Sequence, residues 1–187
     1  HDVPDWDPPQ VPVLGELTIN GQPRKVVMFA NRNGFFYTID RVTGKVIVAK
    51  PFVETTWAKE IGRDGRPMLE PAQTPDENGE VTCPDITGGT TFWPPTFDPS
   101  TRTFFVNARE ACMTFYAWKP DYKAGERFTG GAGQRYTSST MPLYGALRAI
   151  DPAIGERKWE FKYLRPSTAG LLTTASGLIF SGDNDGN

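Results

Sequence analysis

Three carboxylates and the only histidine of the chain lie within its first seven residues, His1-Asp-Val-Pro-Asp-Trp-Asp7. If this stretch is extended, Asp5 and Asp7 project to the same face of the backbone, because side chains of a strand alternate between faces. Two carboxylates on one face are good ligands for a hard cation such as Ca²⁺. A carboxylate within hydrogen-bond reach of a hydroxyl can also act as a general base. The alternative is an Asp-rich loop whose side chains only cap turns.

A second segment whose residue types could take part in catalysis is Ala30-Asn-Arg-Asn-Gly-Phe-Phe-Tyr-Thr-Ile-Asp40. Its pattern predicts a strand, a tight turn and a second strand. Asn33-Gly34 is a strong hairpin signal, because both positions of a two-residue turn favour positive φ. Arg32 lies just before this turn, where its guanidinium could stabilise negative charge developing on an oxygen. The alternative is a surface arginine that merely flanks a hairpin.

The elements that must position these residues are short strands. The chain has 187 residues, enough for one sizeable core, with 19 glycines and 17 prolines. Aromatic and β-branched residues cluster in short runs between turn signals, which predicts an all-β sandwich, barrel or propeller. We predict strands at Val11–Leu14, Lys25–Ala30, Phe35–Asp40, Val46–Lys50, Thr103–Asn107, Cys112–Trp118, Gly145–Asp151, Lys158–Tyr163, Gly170–Thr174 and Leu178–Ser181. Residues 54–82 and 119–141 are predicted to be long surface loops that wall a site or bind a partner.

A weak internal repeat joins an apolar strand, an aspartate, three residues and a glycine. It occurs at Asp40 and Gly44, again at Asp151 and Gly155, and in degenerate form at Asp98. The aspartate can accept backbone N–H groups of the turn, and the glycine supplies positive φ. Such turns are expected between the strands of propeller blades, with generic hairpin turns as the alternative. At roughly 40–70 residues per blade, the chain would hold two to three blades.

Taken together, these segments resemble the quinoprotein alcohol dehydrogenases, β-propeller enzymes that oxidise alcohols with pyrroloquinoline quinone (PQQ) and a bound metal. The resemblance covers nearly the whole chain and implies a partial β-propeller of two to three antiparallel four-stranded blades from an eight-bladed propeller. Residues 1–187 would be an incomplete propeller domain, truncated at both ends. The blades of this family are tied by a tryptophan-docking motif, which Ala149, Asp151, Gly155 and Trp159 match. The first copy departs from the motif, with Thr38 for alanine and Val48 for tryptophan.

The resemblance also implies roles for the site residues. Asp5 would be the catalytic base, which removes the hydroxyl proton while hydride moves to the quinone, and Arg32 would bind quinone oxygens. With Asp5, Asp7 would be a metal ligand, and an aspartate at its position distinguishes the lanthanide-using members from those that use Ca²⁺. Thr91 stands where an asparagine usually contacts the cofactor, and Trp93 would either wall the pocket or pack a blade.

Two further positions bear on this resemblance. Thr168 stands where many members carry a tryptophan near the cofactor, which suggests a subfamily distinct from the methanol enzymes. Cys83 and Cys112 are the only cysteines, and the family has a disulfide at this spacing. A disulfide implies an oxidising compartment, which in bacteria is the periplasm. Two buried free thiols are the alternative.

The expected function is oxidation of a primary alcohol or a related hydroxyl substrate, with electrons passed to a cytochrome c or a quinone. We expect the isolated chain neither to bind PQQ tightly nor to turn over, since the remaining propeller blades would supply the other ligands. A net charge of −2 favours neither nucleic acid nor anionic lipid as a partner, and no apolar run approaches the ~18 residues of a membrane span. The alternative is a non-catalytic periplasmic scaffold built from PQQ-like repeats, which would not need Asp5, Asp7 and Arg32 together.

Overall fold

The computed structural model describes residues 4, 6–138, 141 and 143–186. Within these ranges the chain is all-β, with fifteen strands and one 3-10 helix, Pro71–Gln73. The strands are β1 (Val13–Ile19), β2 (Gln22–Ala30), β3 (Phe35–Asp40), β4 (Val46–Pro51), β5 (Ala58–Ile61), β6 (Pro67–Leu69), β7 (Glu80–Thr82), β8 (Thr96–Asp98), β9 (Thr103–Glu110), β10 (Cys112–Ala117), β11 (Gly131–Tyr136), β12 (Tyr144–Ile150), β13 (Arg157–Tyr163), β14 (Leu172–Thr173) and β15 (Ile179–Phe180). The described residues contain no helix of the length and apolarity that a bilayer crossing requires.

The first blade is an antiparallel meander of four strands in the order β1-β2-β3-β4. Its first hairpin turns at Asn20-Gly21, where φ is 52° and 75°, and Ile19 pairs with Gln22 on either side. Two residues with positive φ are the requirement of a type I′ turn, for which Asn-Gly is the preferred dipeptide. Our predicted first strand, Val11–Leu14, overlaps only the beginning of β1, so the Asn-Gly signal at 20–21 would have been the better guide.

The turn that carries Arg32 differs from the predicted two-residue hairpin. Four residues, 31–34, connect β2 to β3; Gly34 has φ 96°, whereas Asn33 does not lie in the positive-φ region. Asn33 instead acts through its buried side chain, whose Oδ1 accepts the Phe35 backbone N–H at 3.0 Å. Its backbone carbonyl accepts the indole N–H of Trp57 at 2.8 Å. These bonds fix the turn, so Arg32 has a defined place at its tip.

The second blade has four strands in the order β13-β12-β9-β8 and packs against the first blade. Alternate residues of the two sheets meet in one apolar layer, and the rings of Phe36 and Phe104 lie 5.0 Å apart within it. The buried members of this layer are Leu17, Val26, Met28, Ala30, Phe36, Phe52, Val53, Phe104, Val106, Ala108 and Ile150. The β14–β15 hairpin follows as a separate two-stranded sheet. Two four-stranded blades and a further hairpin agree with the predicted partial propeller.

The aspartate turns of the repeat share one geometry, as predicted. Asp40, Asp98 and Asp151 each accept the backbone N–H two residues later through Oδ1, at 2.9 Å in every case. Hydrogen bonding by the Thr43 backbone N–H is the largest cause that lowers the pKa of Asp40. The fourth residue after each aspartate has positive φ, which is 71° at Gly44 and 78° at Gly155. In the degenerate copy a non-glycine residue adopts this conformation.

The turn of the second blade lies against the first blade. A Cβ atom at position 155 would lie 2.6 Å from Val48 Cγ1 and 2.7 Å from Lys50 Cγ. Thr38 Oγ1 donates to the Pro152 carbonyl at 2.6 Å, so the contact is also hydrogen-bonded. Val48 thus packs on the glycine of the next blade from the position that tryptophan occupies in the docking motif. Trp159, at that position in the second copy, packs on Phe105 with ring centroids 5.7 Å apart.

This contact predicts that two equivalent substitutions lower the free energy of unfolding by different amounts. Gly155→Ala would bring a methyl group into Val48, whereas Gly44→Ala meets no atom within 4 Å at a similar φ. Both variants carry the strain of positive φ, and only the first adds overpacking, which costs about 1–3 kcal/mol. Urea unfolding should therefore show Gly155→Ala less stable than Gly44→Ala by about this amount. Equal midpoints for the two variants would contradict this packing account.

The segments predicted as loops contain further structure. Residues 54–82 form the β5–β6 hairpin, the 3-10 helix and β7, and residues 119–141 contain β11. β7, β10 and β11 make a three-stranded antiparallel sheet, here called the side sheet, in the order β11-β10-β7. The predicted strand Cys112–Trp118 is confirmed as β10. Few apolar residues alternate in β7 and β11, which is why periodicity did not reveal those two strands. The side sheet matters for the site because β10 begins at Cys112.

Candidate functional site

Arg32 makes hydrogen bonds to two segments that are distant from it in sequence. Its Nη1 donates to the Asp7 carbonyl at 3.2 Å, and its Nη2 donates to the Ile86 carbonyl. Its Nε is buried without a hydrogen-bond partner. Two carbonyls therefore hold the guanidinium in place while part of its donor set remains unused, since arginine has five N–H donors.

A pair of glycines sets how closely the neighbouring loop approaches this arginine. A Cβ atom at position 88 would lie 2.6 Å from the Arg32 carbonyl oxygen and 2.7 Å from its Cα, and Gly88 has φ 89°. The Gly89 backbone N–H donates to the Arg32 carbonyl at 2.9 Å. Only glycine satisfies both the φ and the close approach, so the Gly88-Gly89 sequence positions the Arg32 backbone.

Asp85 connects the elements of the site, although it was not among the residues predicted to have a role. Its carboxylate pairs with Arg109 at 3.0 Å and accepts the backbone N–H groups of Thr87 and Gly88 at 2.9 and 3.1 Å. Its carbonyl accepts the Trp6 indole N–H at 2.8 Å. Through Trp6, Asp85 thus ties the acidic segment (residues 1–7 of the sequence) to the loop beneath Arg32, which is the loop of Gly88 and Gly89. The available signal was an aspartate three residues before a Gly-Gly pair, which is typical of an Asx turn.

Trp6 anchors the acidic segment between Asp5 and Asp7. Its ring lies 5.3 Å from that of Trp57, and Trp57 meets Phe35 edge-on at 5.9 Å. All three aromatic residues are buried. Burying an indole while satisfying its N–H makes this a strong anchor. The backbone beside Trp6 is therefore held against the same hairpin that carries Arg32.

The disulfide expected from the resemblance is present. Cys83 and Cys112 are bonded, with Cα atoms 4.4 Å apart and a sequence separation of 29. In the chain-entropy model, closing a loop of this size contributes about 3–4 kcal/mol. The bond joins the segment that leads to Asp85 to the first residue of β10. It therefore ties the loop beneath Arg32 to the side sheet.

The structure describes one of the two predicted metal ligands, Asp7. Asp5 lies outside the described residues, so its position is not part of the site geometry. Asp7 is exposed, and the contact it makes to Arg32 is through its backbone carbonyl. Within the described ranges no group of three or more His, Cys, Asp and Glu side chains could hold a metal ion. The described part of the chain thus offers the exposed Asp7 carboxylate as a hard-oxygen ligand, and further ligands would have to join it.

The predicted cofactor residues lie on the loop that follows Gly89. Thr91 is buried, and Trp93 is half-buried with its ring 5.9 Å from that of Phe92. The Gly89 bond to Arg32 connects this loop to the hairpin. Thr168 donates to Asn184 Oδ1 at 2.7 Å. The structure thus joins the Arg32 backbone to the loop that carries Thr91 and Trp93.

Several buried polar atoms near these segments have no partner within the protein. They are Arg32 Nε, the Thr90 hydroxyl and both amide atoms of Gln10, a residue three positions after Asp7. Buried polar groups are nearly always hydrogen-bonded, so such atoms indicate water or a ligand that completes them. The donors among them, which are Arg32 Nε, the Thr90 hydroxyl and the Gln10 amide N–H groups, would suit a ligand rich in carbonyl and carboxylate oxygens. PQQ, a tricarboxylic quinone, has that character.

Known proteins of one family match this chain in sequence. The glucose/ethanol/alcohol dehydrogenase β-propeller domain model matches residues 1–60. The lanthanide-dependent methanol dehydrogenase of Methylacidiphilum fumariolicum strain SolV is 34% identical over 187 residues, which cover 97% of this chain and 31% of that protein. Quinoprotein alcohol dehydrogenase PedH of Pseudomonas putida is 34% identical over 194 residues, which cover 100% of this chain and 32% of that protein.

Solved structures show the same relationship. A europium-containing methanol dehydrogenase superposes with a TM-score of 0.83 at 33% identity, over 95% of this chain and 32% of that one. The quinohemoprotein alcohol dehydrogenase of Comamonas testosteroni superposes with a TM-score of 0.85 at 27% identity, over 95% and 28%. The chain thus spans about a third of the length of these relatives. Sequence and fold similarity show that this chain belongs to the quinoprotein alcohol dehydrogenase family and corresponds to part of its β-propeller.

Proposed function

We propose that the complete protein carrying this chain is a PQQ-dependent dehydrogenase that oxidises a primary alcohol. The observation that carries the proposal is the Arg32 guanidinium, held by the carbonyls of Asp7 and Ile86 while its Nε remains buried and unpartnered. A fixed cation with unused N–H donors can bind a quinone oxygen. Because this cation lies beside the acidic segment, the bound oxygen would be close to a catalytic base. The named activities of the relatives support the same conclusion.

In this proposal PQQ, when bound, supplies the acceptor for the hydride of the alcohol. The Asp5 carboxylate takes the hydroxyl proton, for which it must lie within hydrogen-bond reach of that oxygen. Arg32 presents positive charge that is already oriented, so little reorganisation is needed when negative charge develops nearby. Thr91 offers a hydroxyl to the cofactor, and Trp93 forms part of the wall.

We propose that the metal is bound by Asp5 and Asp7, together with ligands from other parts of the protein. Carboxylate oxygens suit Ca²⁺ and equally hard trivalent lanthanide ions. The exposed side chain of Asp7 is available for such a bond. The similarity to a lanthanide-dependent methanol dehydrogenase supports a lanthanide ion.

The remaining assignments concern the setting of the reaction. The disulfide between Cys83 and Cys112 supports an oxidising compartment, so we place the protein in the periplasm. The electrons would pass to a cytochrome c or a quinone. Residues 1–187 would form an incomplete propeller domain, which the remaining blades complete, and the isolated chain would neither bind PQQ tightly nor turn over.

The proposal is tested by reconstituting the complete protein with PQQ and either Ca²⁺ or La³⁺. PQQ binding and dye-linked oxidation of short primary alcohols are then measured. Oxidation should require both PQQ and a metal. Asp5→Asn should lower kcat at least ~10²-fold with PQQ still bound, since a positioned general base contributes 10²–10⁴-fold. Asp7→Ala should abolish the activity supported by La³⁺, because the ion loses a charged ligand.

Asp121→Ala is the matched control, since Asp121 is an exposed loop aspartate remote in sequence from the acidic segment. Its activity and metal preference should equal those of the unmodified protein. If the unmodified protein binds no PQQ with either metal, the dehydrogenase proposal fails. A non-catalytic propeller scaffold then becomes the better account.

A further inference from the structure

Residues 85–88 form a turn that holds Arg32 at two points, here called the support turn. The Gly88 backbone N–H donates to the Asp85 carbonyl at 2.8 Å, which closes the turn. The Ile86 carbonyl, in the middle of the turn, accepts the Arg32 Nη2 bond. Gly88 packs on the Arg32 backbone, where a Cβ atom at position 88 would lie 2.6 Å from the Arg32 carbonyl oxygen. A movement of the support turn would therefore move the guanidinium and the backbone of Arg32 together.

The two oxygens of the Asp85 carboxylate have separate partners. Oδ1 accepts the backbone N–H groups of Thr87 and Gly88 at 2.9 and 3.1 Å, so it fixes the shape of the support turn. Oδ2 accepts Nη2 of Arg109 at 3.0 Å, so it fixes the place of the turn in the molecule. A substitution that keeps an acceptor but removes the charge can therefore separate these two contributions.

Arg109 ties the support turn to the end of a strand in the second blade. It lies on β9, one residue before the last residue of that strand. Its backbone N–H donates to the Gly89 carbonyl at 2.8 Å, and the Asp85 backbone N–H donates to the Ala111 carbonyl at 2.7 Å. The loop is thus bonded to this strand end on both sides of Ile86. Regular strands hold attached groups more precisely than loops do.

The ion pair between Asp85 and Arg109 also leaves the charge of Arg32 available. The two side chains are 13% and 14% exposed, so the pair is largely removed from water. Arg109 takes the Asp85 carboxylate, whereas Arg32 meets a backbone carbonyl of the same turn. A carbonyl orients a guanidinium without cancelling its charge. The support turn therefore presents a cation that is oriented but not neutralised.

We infer that Asp85 and Arg109 are positioning residues that act through Arg32 and set how tightly the complete protein binds PQQ. This inference rests on the proposed function and adds two residues to its machinery. Neither side chain needs to contact the cofactor. Their role is to order Arg32 before PQQ arrives, because a group that is already oriented adds little ordering cost to binding.

The test measures the Kd of PQQ for the complete, metal-loaded protein from which PQQ has been removed. Asp85→Ala removes both partners of the carboxylate and should raise this Kd at least ~10-fold, the scale of one hydrogen bond to a charged group. At saturating PQQ, kcat should fall about 10²-fold, the cost of a displacement of about 1 Å. Asp85→Asn keeps an acceptor for the turn, so its Kd should lie between these two values.

Substitutions at Arg109 test the other half of the pair. Arg109→Met leaves the bonds within the support turn but releases its link to β9, and it should also raise the Kd of PQQ. Arg109→Lys keeps the positive charge and should restore part of the affinity, although lysine lacks the planar donor set of arginine.

A double-mutant cycle with Arg32→Met separates positioning from a general structural role. If Asp85 acts through Arg32, adding Asp85→Ala to Arg32→Met should change the Kd of PQQ less than ~2-fold, since the two substitutions then remove the same interaction. A structural role would instead weaken binding by the same factor with and without Arg32→Met.

Asp76 offers a matched control because it makes the same kind of turn in the exposed loop before β7. Its Oδ1 accepts the backbone N–H groups of Asn78 and Gly79 at 2.8 and 3.2 Å. Gly79 has φ 86°, close to the 89° of Gly88. Asp76→Ala thus removes an equivalent turn aspartate and should leave the Kd of PQQ and kcat unchanged.

The outcomes separate this inference from the proposed function. If the unmodified protein binds PQQ and oxidises an alcohol, but Asp85→Ala keeps its Kd or acts equally with and without Arg32→Met, the inference is overturned and the proposed function stands. If the unmodified protein binds no PQQ, both fail. Thermal unfolding verifies that each variant is folded. Should Asp85→Ala not fold, Asp85→Asn and Arg109→Met replace it in the same cycle and decide the outcome.

Discussion

Arg32→Met is expected to lower kcat of the complete protein by about 10²–10³-fold, the usual cost of removing one preorganised group that stabilises developing negative charge. The guanidinium is held by two backbone carbonyls, so its charge has a defined position before any ligand arrives. Methionine keeps much of the side-chain volume but removes the charge and all five donors. The measurement is kcat for a primary alcohol at saturating PQQ.

Two further variants separate charge from structure. Arg32→Lys restores a cation without the planar fork and should recover part of kcat but not all of it. Arg63→Met removes an exposed arginine in the turn between β5 and β6 and should leave kcat unchanged. A folded Arg32→Met protein with kcat within twofold of the unmodified protein would show that Arg32 has only a structural role.

Arg148→Met is expected to destabilise the protein by about 3–5 kcal/mol, because removing one partner of a buried ion pair leaves the other charge uncompensated. The Arg148 side chain is 2% exposed and pairs with Glu110 at 2.6 Å and Glu160 at 3.1 Å. Its Nη1 also donates to the Phe52 carbonyl of the first blade. Burial alone would lower the pKa of Arg148, but the charge of Glu110 and the hydrogen bonds of both glutamates outweigh it and raise the pKa.

The matched control for this substitution is Arg157→Met, which removes a second partner of the same glutamate. Arg157 pairs with Glu160 at 2.8 Å, but its side chain is 51% exposed. Exposed ion pairs contribute about 0–1 kcal/mol, so this variant should unfold at nearly the same urea concentration as the unmodified protein. Similar midpoints for Arg148→Met and Arg157→Met would mean that burial between the blades does not strengthen the Arg148 cluster.

Local signals predicted a large part of the fold. The predicted limits of β3, Phe35–Asp40, are those observed, and the aspartate turns form with the expected bonds and positive φ. Both features depend on residues within a few positions of one another. The side sheet was not predicted because β7 and β11 alternate poorly between apolar and polar residues.

In the site, as in the fold, the sequence predicted the local features but not the contacts between remote residues. The chain by itself indicated Arg32 beside a turn, an acidic segment and a Gly-Gly loop, because each is a local pattern of residue types. Their assembly depends on Asp85 and Trp6, which are 79 positions apart and meet through one hydrogen bond. No local pattern identifies such a pair.

The amino-acid sequence by itself determined the all-β class, the repeated turns and, through its resemblance, the family to which the chain belongs. Only the tertiary structure decided that Arg32 lies on Gly88, that Asp85 joins the acidic segment to the loop, and that Arg148 is buried between two blades. The physical reason is that hydrophobic patterning and turn chemistry act over a few residues. The partners of a buried charge or of a close backbone approach come from remote segments, which only the packing of the sheets brings together.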